Sequence, residues 1–116
     1  MGTAARWLTL ASVAALALSS CGTGERASSR ARAPVTHTVT IEGMRFQPER
    51  LRVTAGDIVV WVNKDVVPHT STSSAAGFDS ALIEQGASWQ LTAKAAGTFE
   101  YVCSFHPMMK GTLAVQ

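Results

Sequence analysis

Three side chains with sulfur or imidazole donors lie close together near the end of the chain. Cys103, His106 and Met109 fall within one seven-residue segment, which follows an apolar stretch ending at Val102. A thiolate, an imidazole and a thioether are soft or borderline ligands, which select copper, zinc or iron rather than magnesium or calcium. Two histidines and a cysteine in one plane, with a distant axial methionine, form a copper electron-transfer geometry. The segment therefore predicts part of a metal site, carried on one loop between two strands.

A site of this kind needs a second histidine from elsewhere in the chain. The sequence has three histidines, so the candidates besides His106 are His37 and His69. His69 follows Pro68 between two predicted strands, where a loop side chain can face a ligand. His37 lies inside an alternating strand, so we expect it to be a surface residue or a satisfied core residue. His69 is the predicted partner of the segment.

The chain from residue 35 onwards has the pattern of a β-sheet protein. Apolar residues and threonines alternate over residues 35–41, and the apolar run at 58–62 predicts a strand buried on both faces. Further strands are predicted at 50–54, 70–74, 88–92, 98–102 and 112–115, with turn residues between them. Residues 75–83 fit either one helical turn or an irregular loop. Several short strands separated by turns indicate a sandwich or a barrel.

The first 20 residues have the layout of a secretory signal peptide. One arginine precedes an almost wholly apolar stretch at 7–18, and small residues follow it. The stretch is too short to span a bilayer, which needs about 20 apolar residues. Residues 18–21, with the sequence LSSC, resemble the lipobox of bacterial lipoproteins, which implies cleavage before Cys21 and a lipid anchor on its sulfur. The alternatives are an ordinary secretory signal or a Cys21–Cys103 disulfide.

Charge is distributed unevenly between the two segments that follow. Residues 22–34 hold three arginines and one glutamate with little apolar surface, which predicts a flexible linker, either solvated or lying against anionic lipid. Residues 35–116 hold six lysines and arginines against seven acids, so nothing suggests a nucleic-acid partner. We expect a signal peptide at 1–20, a lipidated cysteine and linker at 21–34, and one domain at 35–116.

Two spaced motifs resemble the cupredoxin family, and within it the amicyanin-like and plastocyanin-like members. A Trp-x-Asn strand end at 61–63 is followed by Pro68 and His69, and Cys-x-x-His-Pro-x-Met occupies 103–109. The run AGTFEY at 96–101 resembles the lead-in to the second motif, and the similarity covers nearly all of 35–116. The resemblance implies an all-β fold, a cupredoxin-like Greek-key β-sandwich of about 7–9 strands.

The resemblance also implies one type 1 (blue) copper per chain. Its ligands would be His69, Cys103 and His106 in the plane and Met109 along the axis. Asn63 would brace the loop of Cys103 through hydrogen bonds. Plastocyanin-like spacing would place the axial ligand at Gly111, which cannot bind, so the spacing is that of amicyanin. Phe105 stands where that subfamily usually has proline.

A cupredoxin of this type would be an electron carrier that cycles between Cu(II) and Cu(I), and not an enzyme, because four protein ligands leave no open position for a substrate. Single electrons would pass through the edge of His106 to transient redox protein partners. The patch that meets them would comprise Val67, Pro68, Phe105, Pro107 and Met108. We expect a monomer in the periplasm or at the cell surface, held to a membrane through Cys21. The alternative is an extracytoplasmic protein for copper trafficking or storage.

Overall fold

The structure is a computed structural model that describes residues 31–116. The predicted signal peptide, Cys21 and most of the predicted linker lie outside the described residues. Within 31–116 no helix is long and apolar enough to cross a membrane. All of the regular secondary structure in this part of the chain is β-strand.

Nine strands follow one another along the described residues. They are β1 (Thr36–Ile41), β2 (Phe46–Gln47), β3 (Arg50–Val53), β4 (Ile58–Asn63), β5 (Thr72–Ser73), β6 (Phe78–Asp79), β7 (Ser88–Thr92), β8 (Gly97–Cys103) and β9 (His106–Val115). The uncertain stretch at 75–83 contains the two-residue β6 between turns and no helix. Gly77 and Ala81 both have positive φ angles, of 71° and 55°, so the backbone departs from helical geometry at two points of this stretch.

The strands form two mixed sheets packed face to face. One sheet has the order β2-β1-β4-β7 and the other has the order β3-β9-β8-β5-β6. The pairs β1–β4 and β3–β9 are parallel, and the remaining pairs are antiparallel. The predicted all-β sandwich of about 7–9 strands is confirmed.

Strand β4 shows where the sequence prediction of burial is wrong. Val59, Trp61 and Asn63 are fully buried, whereas the alternate residues of this strand are only half-buried. One face of β4 packs into the sandwich, and the other lies on the outer face of its sheet, where neighbouring side chains cover it in part. The continuous apolar run therefore reflects a well-covered outer face rather than a second core.

The core is built around aromatic rings on the inner faces of both sheets. The Trp61 and Tyr101 rings meet edge to face with centroids 5.4 Å apart, and Phe46 meets Tyr101 at 4.8 Å. Such pairs contribute about 0.5–1.5 kcal/mol beyond the area that they bury. Gly111 lies directly under Tyr101, and a Cβ at this position would overlap its ring. The packing of the Tyr101 ring thus requires a residue without a side chain at position 111.

The two ends of β4 mark two opposite poles of the sandwich. Asn63 ends the strand beside Ile83 and the turn that carries His69, and we call this end the metal pole. Asp57 precedes the strand and marks the distal pole. A six-residue strand separates them, a length of roughly 20 Å. The described chain enters the domain at the distal pole, because Val35 bonds to Ile58 and Asp57 there.

Asp57 is buried at the distal pole and is satisfied by four donors. Its carboxylate accepts hydrogen bonds from Nη1 of Arg32 at 2.7 Å and from the amides of Val35 and Thr54 at 3.0 Å. The fourth contact is Nε2 of His37 at 2.9 Å, which accounts for this half-buried histidine away from the predicted metal site. The contact of Arg32 brings the end of the predicted linker into the hydrogen-bonded domain.

Candidate metal centre

Three predicted ligands meet at the metal pole although they lie on separate elements. Cys103 is the last residue of β8 and His106 is the first residue of β9, while His69 lies in the connection between β4 and β5. Cys103 and His69 are fully buried, and His106 is partly exposed. Their donor atoms all lie within 4.8 Å of one another. The three side chains therefore form a single potential metal site with one histidine at the surface.

The distances between these donors fit a common metal ion. Sγ of Cys103 lies 3.7 Å from Nδ1 of His69 and 3.6 Å from Nδ1 of His106. Nitrogen and sulfur ligands bound to one ion at about 2.0 and 2.3 Å in a trigonal plane lie ~3.7 Å apart. Both imidazoles direct the same nitrogen at the thiol, so the donor set is the two-histidine, one-cysteine set that suits copper.

Strand geometry, rather than a free loop, positions Cys103 and His106. The prediction placed the whole segment in a loop, but β8 continues to Cys103 and β9 begins at His106. The two residues are paired across a tight turn, with a register shift between Val102 and Cys103. A bulge of this kind redirects side chains at a strand end. The turn is thus rigid on both sides, and the two donors are held by the sheet.

His69 is fixed by a backbone bridge and by a carboxylate. Its amide and carbonyl pair with Ile83 at 3.2 and 2.7 Å. Nε2 of the ring lies 2.8 Å from Oδ2 of Asp65, so the ring donates its Nε2 proton there and turns Nδ1 toward Cys103. A second partner of this kind sets the tautomer and orientation of a metal-binding histidine.

Asp65 is held in turn by the backbone of a neighbouring turn. Its two carboxylate oxygens accept hydrogen bonds from the amides of Gly43 at 2.8 Å and Met44 at 3.0 Å. Desolvation raises the pKa of Asp65, but the bonds from Met44, Gly43 and His69 outweigh it and hold the pKa below its usual range. The group beside His69 is therefore an ionised carboxylate at neutral pH.

Asn63 braces a different loop from the one expected. Its Nδ2 donates to the carbonyls of Val67 at 2.8 Å and Ile83 at 2.9 Å, and its Oδ1 accepts from the amide of Asp65 at 2.9 Å. All three partners belong to the surroundings of His69 and none to the loop of Cys103. The expected bond from Asn63 to that loop is thus corrected, because β4 ends on the His69 side of the site.

Thr70 connects the two ligand loops. Its amide donates to Sγ of Cys103 at 3.4 Å, and its hydroxyl accepts from the amide of Ser104 at 2.8 Å. The hydroxyls of Thr70, Ser104 and Thr72 then form a closed ring with distances of 3.1–3.2 Å. The residue after His69 therefore holds the residue after Cys103, which is the bracing that had been expected of Asn63.

Met109 lies within β9 and is almost fully buried, with 4% of its surface exposed. The two other methionines among the described residues are exposed, Met44 by 41% and Met108 by 93%. Burial of this kind is what an axial ligand requires, and Met109 follows His106 by three residues in the same strand. The assignment of Met109 as this ligand stays a prediction.

The sequence and fold match proteins of known family. A family model described as a cupredoxin-like domain matches residues 7–115. The chain belongs to the cupredoxin-like family. This cupredoxin is 30% identical over 83 residues to amicyanin of Paracoccus denitrificans, and the match covers 67% of this chain and 63% of that protein. It is 32% identical over 84 residues to plastocyanin of Scenedesmus fuscus, over 61% of this chain and 86% of that protein.

Solved structures of amicyanin share the cupredoxin fold of this chain. The Cu(I) form of one amicyanin variant superposes with a TM-score of 0.67 at 29% identity, covering 74% of this chain and 87% of that one. A reduced form of a second variant gives 0.66 at 28% identity, with the same coverage. The amicyanin-like resemblance drawn from the two motifs is confirmed at the level of family and fold.

The five residues of the predicted partner patch lie on the segments that carry the two histidines. Phe105 and Met108 are 63% and 93% exposed, Val67 is 40% exposed, Pro107 is exposed and Pro68 is half-buried. Val66, 79% exposed, is a further apolar residue beside them that the sequence reasoning left out. The partly exposed His106 thus lies on a turn with apolar surface on both sides.

Asp65 and Thr70 are the functional residues that sequence reasoning missed. Each has only a weak signal in the sequence, which is its position beside a candidate ligand. Asp65 precedes His69 by four residues, and Thr70 follows it directly. Acidic residues often occur near a candidate metal-binding histidine without any role at the site, and threonines are more frequent still in a β-rich chain. Only the contacts with His69 and Ser104 distinguish them from solvated turn residues.

Proposed function

We propose that this cupredoxin is a type 1 copper electron-transfer protein that holds one copper ion and cycles it between Cu(II) and Cu(I). The observation that carries the proposal is the cluster of His69, Cys103 and His106, with both Nδ1 atoms 3.6–3.7 Å from the thiol. Copper supplies the one-electron chemistry when it is bound, and the similar amicyanin structure that is described as a Cu(I) form supports this metal. Met109 is proposed as the axial ligand.

The surroundings of the ligands favour electron transfer over catalysis. Two of the three clustered ligands are fully buried, and Asp65, Asn63 and Thr70 fix them by hydrogen bonds. A braced ligand set changes little between two oxidation states, so little energy is spent on rearrangement. With Met109 as fourth ligand, no position remains open for a substrate, as a catalytic metal would need. We therefore propose a carrier and not an enzyme.

We propose that electrons enter and leave through the exposed edge of His106. The partner patch of Val67, Pro68, Phe105, Pro107 and Met108 would meet redox proteins in short-lived complexes. Redox encounters of this kind bury less than about 1,200 Å². A small apolar surface of this kind suits a partner that must leave quickly.

The visible spectrum tests this function directly. The purified chain is loaded with Cu(II), reduced with ascorbate and reoxidised. An intense thiolate-to-copper band that bleaches and returns is expected, and Cys103→Ser should remove it because the thiolate is lost. Thr98→Ser, at an exposed position near the Val115 end of β8, is the control and should leave the band in place. A chain that binds copper without this band would contradict the proposal and favour the trafficking alternative.

We further propose that the domain works outside the cytoplasm and is tethered through a lipid on Cys21. The support is the signal-like segment at 1–20 and the lipobox-like residues 18–21. The chain enters the domain at the distal pole, so a tether there would leave the metal pole free for partners. Mass spectrometry of the membrane fraction should find a diacylglyceryl group on Cys21 and none in Cys21→Ser. An unmodified mature chain released from the membrane would contradict the anchor.

A further inference from the structure

A cavity of about 300 Å³ lies beside the predicted axial ligand and is lined by methionines. Met44, Met108 and Met109 all line it, which is three of the four methionines in the sequence. Glu49 contributes a carboxylate to the same wall. The function proposed above uses Met109 as a ligand and Met108 only as part of an apolar surface, so it gives no role to the sulfur atoms of Met44 and Met108 or to Glu49.

The three methionines that line this cavity differ widely in exposure. Met108 is 93% exposed, Met44 is 41% exposed and Met109 is 4% exposed. Met109 is at once part of the cavity wall and the predicted axial ligand of the copper. Met109 thus borders the cavity that the two outer methionines line, with its side chain on the opposite face of β9 from that of Met108.

The backbone at Met44 is held in an uncommon conformation. Its φ angle is +58°, a value that non-glycine residues adopt in only a few per cent of cases. The carboxylate of Asp65 stabilises this conformation by accepting the amide hydrogens of Gly43 and Met44, and the same carboxylate contacts His69. The position of Met44 is thus coupled to a ligand of the centre rather than left to a free surface loop.

We propose that Met44 and Met108 form a capture site for Cu(I), from which the ion passes by way of Met109 to the centre. This inference rests on the proposed copper function and names how the site is filled. Thioethers are neutral, soft donors that prefer Cu(I) to harder cations. Glu49 offsets part of the positive charge that Arg45 and Lys110 bring to the cavity. The ion keeps its oxidation state during the transfer, and the thiol of Cys103 gives its proton to solvent when it binds.

The test adds Cu(I) to the full chain that already carries reduced copper. A colorimetric Cu(I) chelator buffers the free ion without oxygen, and ¹³C-labelled methionine methyl groups are followed by NMR. We expect a second, weaker Cu(I) to bind, with the methyl signals of Met44 and Met108 shifting and that of Met109 nearly unchanged. In the metal-free chain, the same ion should reach the centre more slowly when both outer thioethers are absent.

The decisive variant is Met44→Leu combined with Met108→Leu. Leucine keeps an apolar side chain of similar size, so any loss reports the sulfur atoms and not the apolar surface. The second Cu(I) should disappear and loading should slow, while the charge-transfer band of the reoxidised centre stays intact, which also shows that the variant folds. Each single variant should weaken the second site in part.

Two results would overturn the capture site. One is a wild-type chain that binds no second Cu(I), and the other is a double variant that binds it and loads as the wild type does. Either result together with a normal charge-transfer band removes the capture site and leaves the proposed electron-transfer function standing. A missing band in the wild type would instead remove the proposed function.

Discussion

The carboxylate of Asp65 lies 2.8 Å from Nε2 of His69, while Nδ1 of the same ring faces the thiol of Cys103 at 3.7 Å. One side chain outside the ligand set thus decides which nitrogen of His69 is free to bind metal. Asp65 also accepts hydrogen bonds from the amides of Gly43 and Met44, so it connects their turn to the metal centre.

Asp65→Asn should raise the reduction potential of the bound copper and weaken Cu(II) binding. A carboxylate that accepts the Nε2 proton makes the imidazole of His69 a stronger donor, which favours Cu(II) over Cu(I). Such partners are worth about 10–100-fold in metal affinity. A redox titration of the charge-transfer band and a Cu(II) competition assay would measure both effects. Glu100→Gln, exposed on β8, is the matched control. An unchanged potential and affinity would show that Asp65 does not act on the metal.

Thr70→Val should loosen the turn after Cys103 and speed the release of copper. The amide of Thr70 still reaches the thiol in this variant, but the amide of Ser104 loses its acceptor. Loss of one such bond costs about 1 kcal/mol of stability. Unfolding in denaturant and the rate of copper loss to a chelator are the measurements. Thr72→Val removes another hydroxyl of the same ring without touching that amide, and should have the smaller effect. Equal effects in both variants would contradict the bracing role.

Met108→Glu and Pro107→Glu should slow electron exchange without bleaching the copper. Two molecules that meet through this patch would bring like charges together, which we expect to slow self-exchange by about tenfold or more. NMR line widths in mixtures of oxidised and reduced protein report this rate and need no natural partner. Thr98→Glu adds the same charge at the Val115 end of β8, away from Cys103, and should change the rate less. Equal rates in all variants would remove the patch from the mechanism.

Asp57→Asn should destabilise the domain near neutral pH and lower its acid sensitivity. The hydrogen bond from Arg32, followed by those from the Val35 and Thr54 amides and from His37, holds the pKa of Asp57 well below its usual range. A carboxyl whose pKa is lower folded than unfolded stabilises the native state above about pH 4–5, and this is lost as the pH falls further. The stability difference between wild type and variant should therefore shrink on acidification.

The tryptophan fluorescence of the metal-free chain in denaturant, measured at several pH values, would test the Asp57 prediction. The metal-free chain is used because the copper ligands would add their own pH dependence. Arg32→Ala leaves the carboxylate and the two amide bonds in place, so it should cost less than Asp57→Asn. A difference between wild type and Asp57→Asn that stays constant from pH 7 to pH 3 would contradict the role of the ionised form.

Local pattern was enough to predict most of the strands because each follows from short-range alternation. The β-branched run of β1 and the apolar residues of β4 and β8 appear as predicted, with small differences at their ends. The predictions that failed are those that depend on contacts between residues far apart in the sequence. The apolar face of β4 opposite the core is only half-buried, and the segment from Cys103 to Met109 is divided between β8 and β9 because the ladder continues almost to the turn.

The sequence by itself determined the kinds of donor and their spacing, since Cys103, His106 and Met109 are close along the chain and His69 was the better-placed of the two other histidines. Only the tertiary structure decided which side chains support them. The contacts of Asp65 with His69, Thr70 with Ser104 and Arg32 with Asp57 depend on turns and strand ends whose directions the whole sandwich sets. A side chain's type limits what it can bind, whereas its hydrogen-bond partner is chosen by the packing of elements that are remote in sequence.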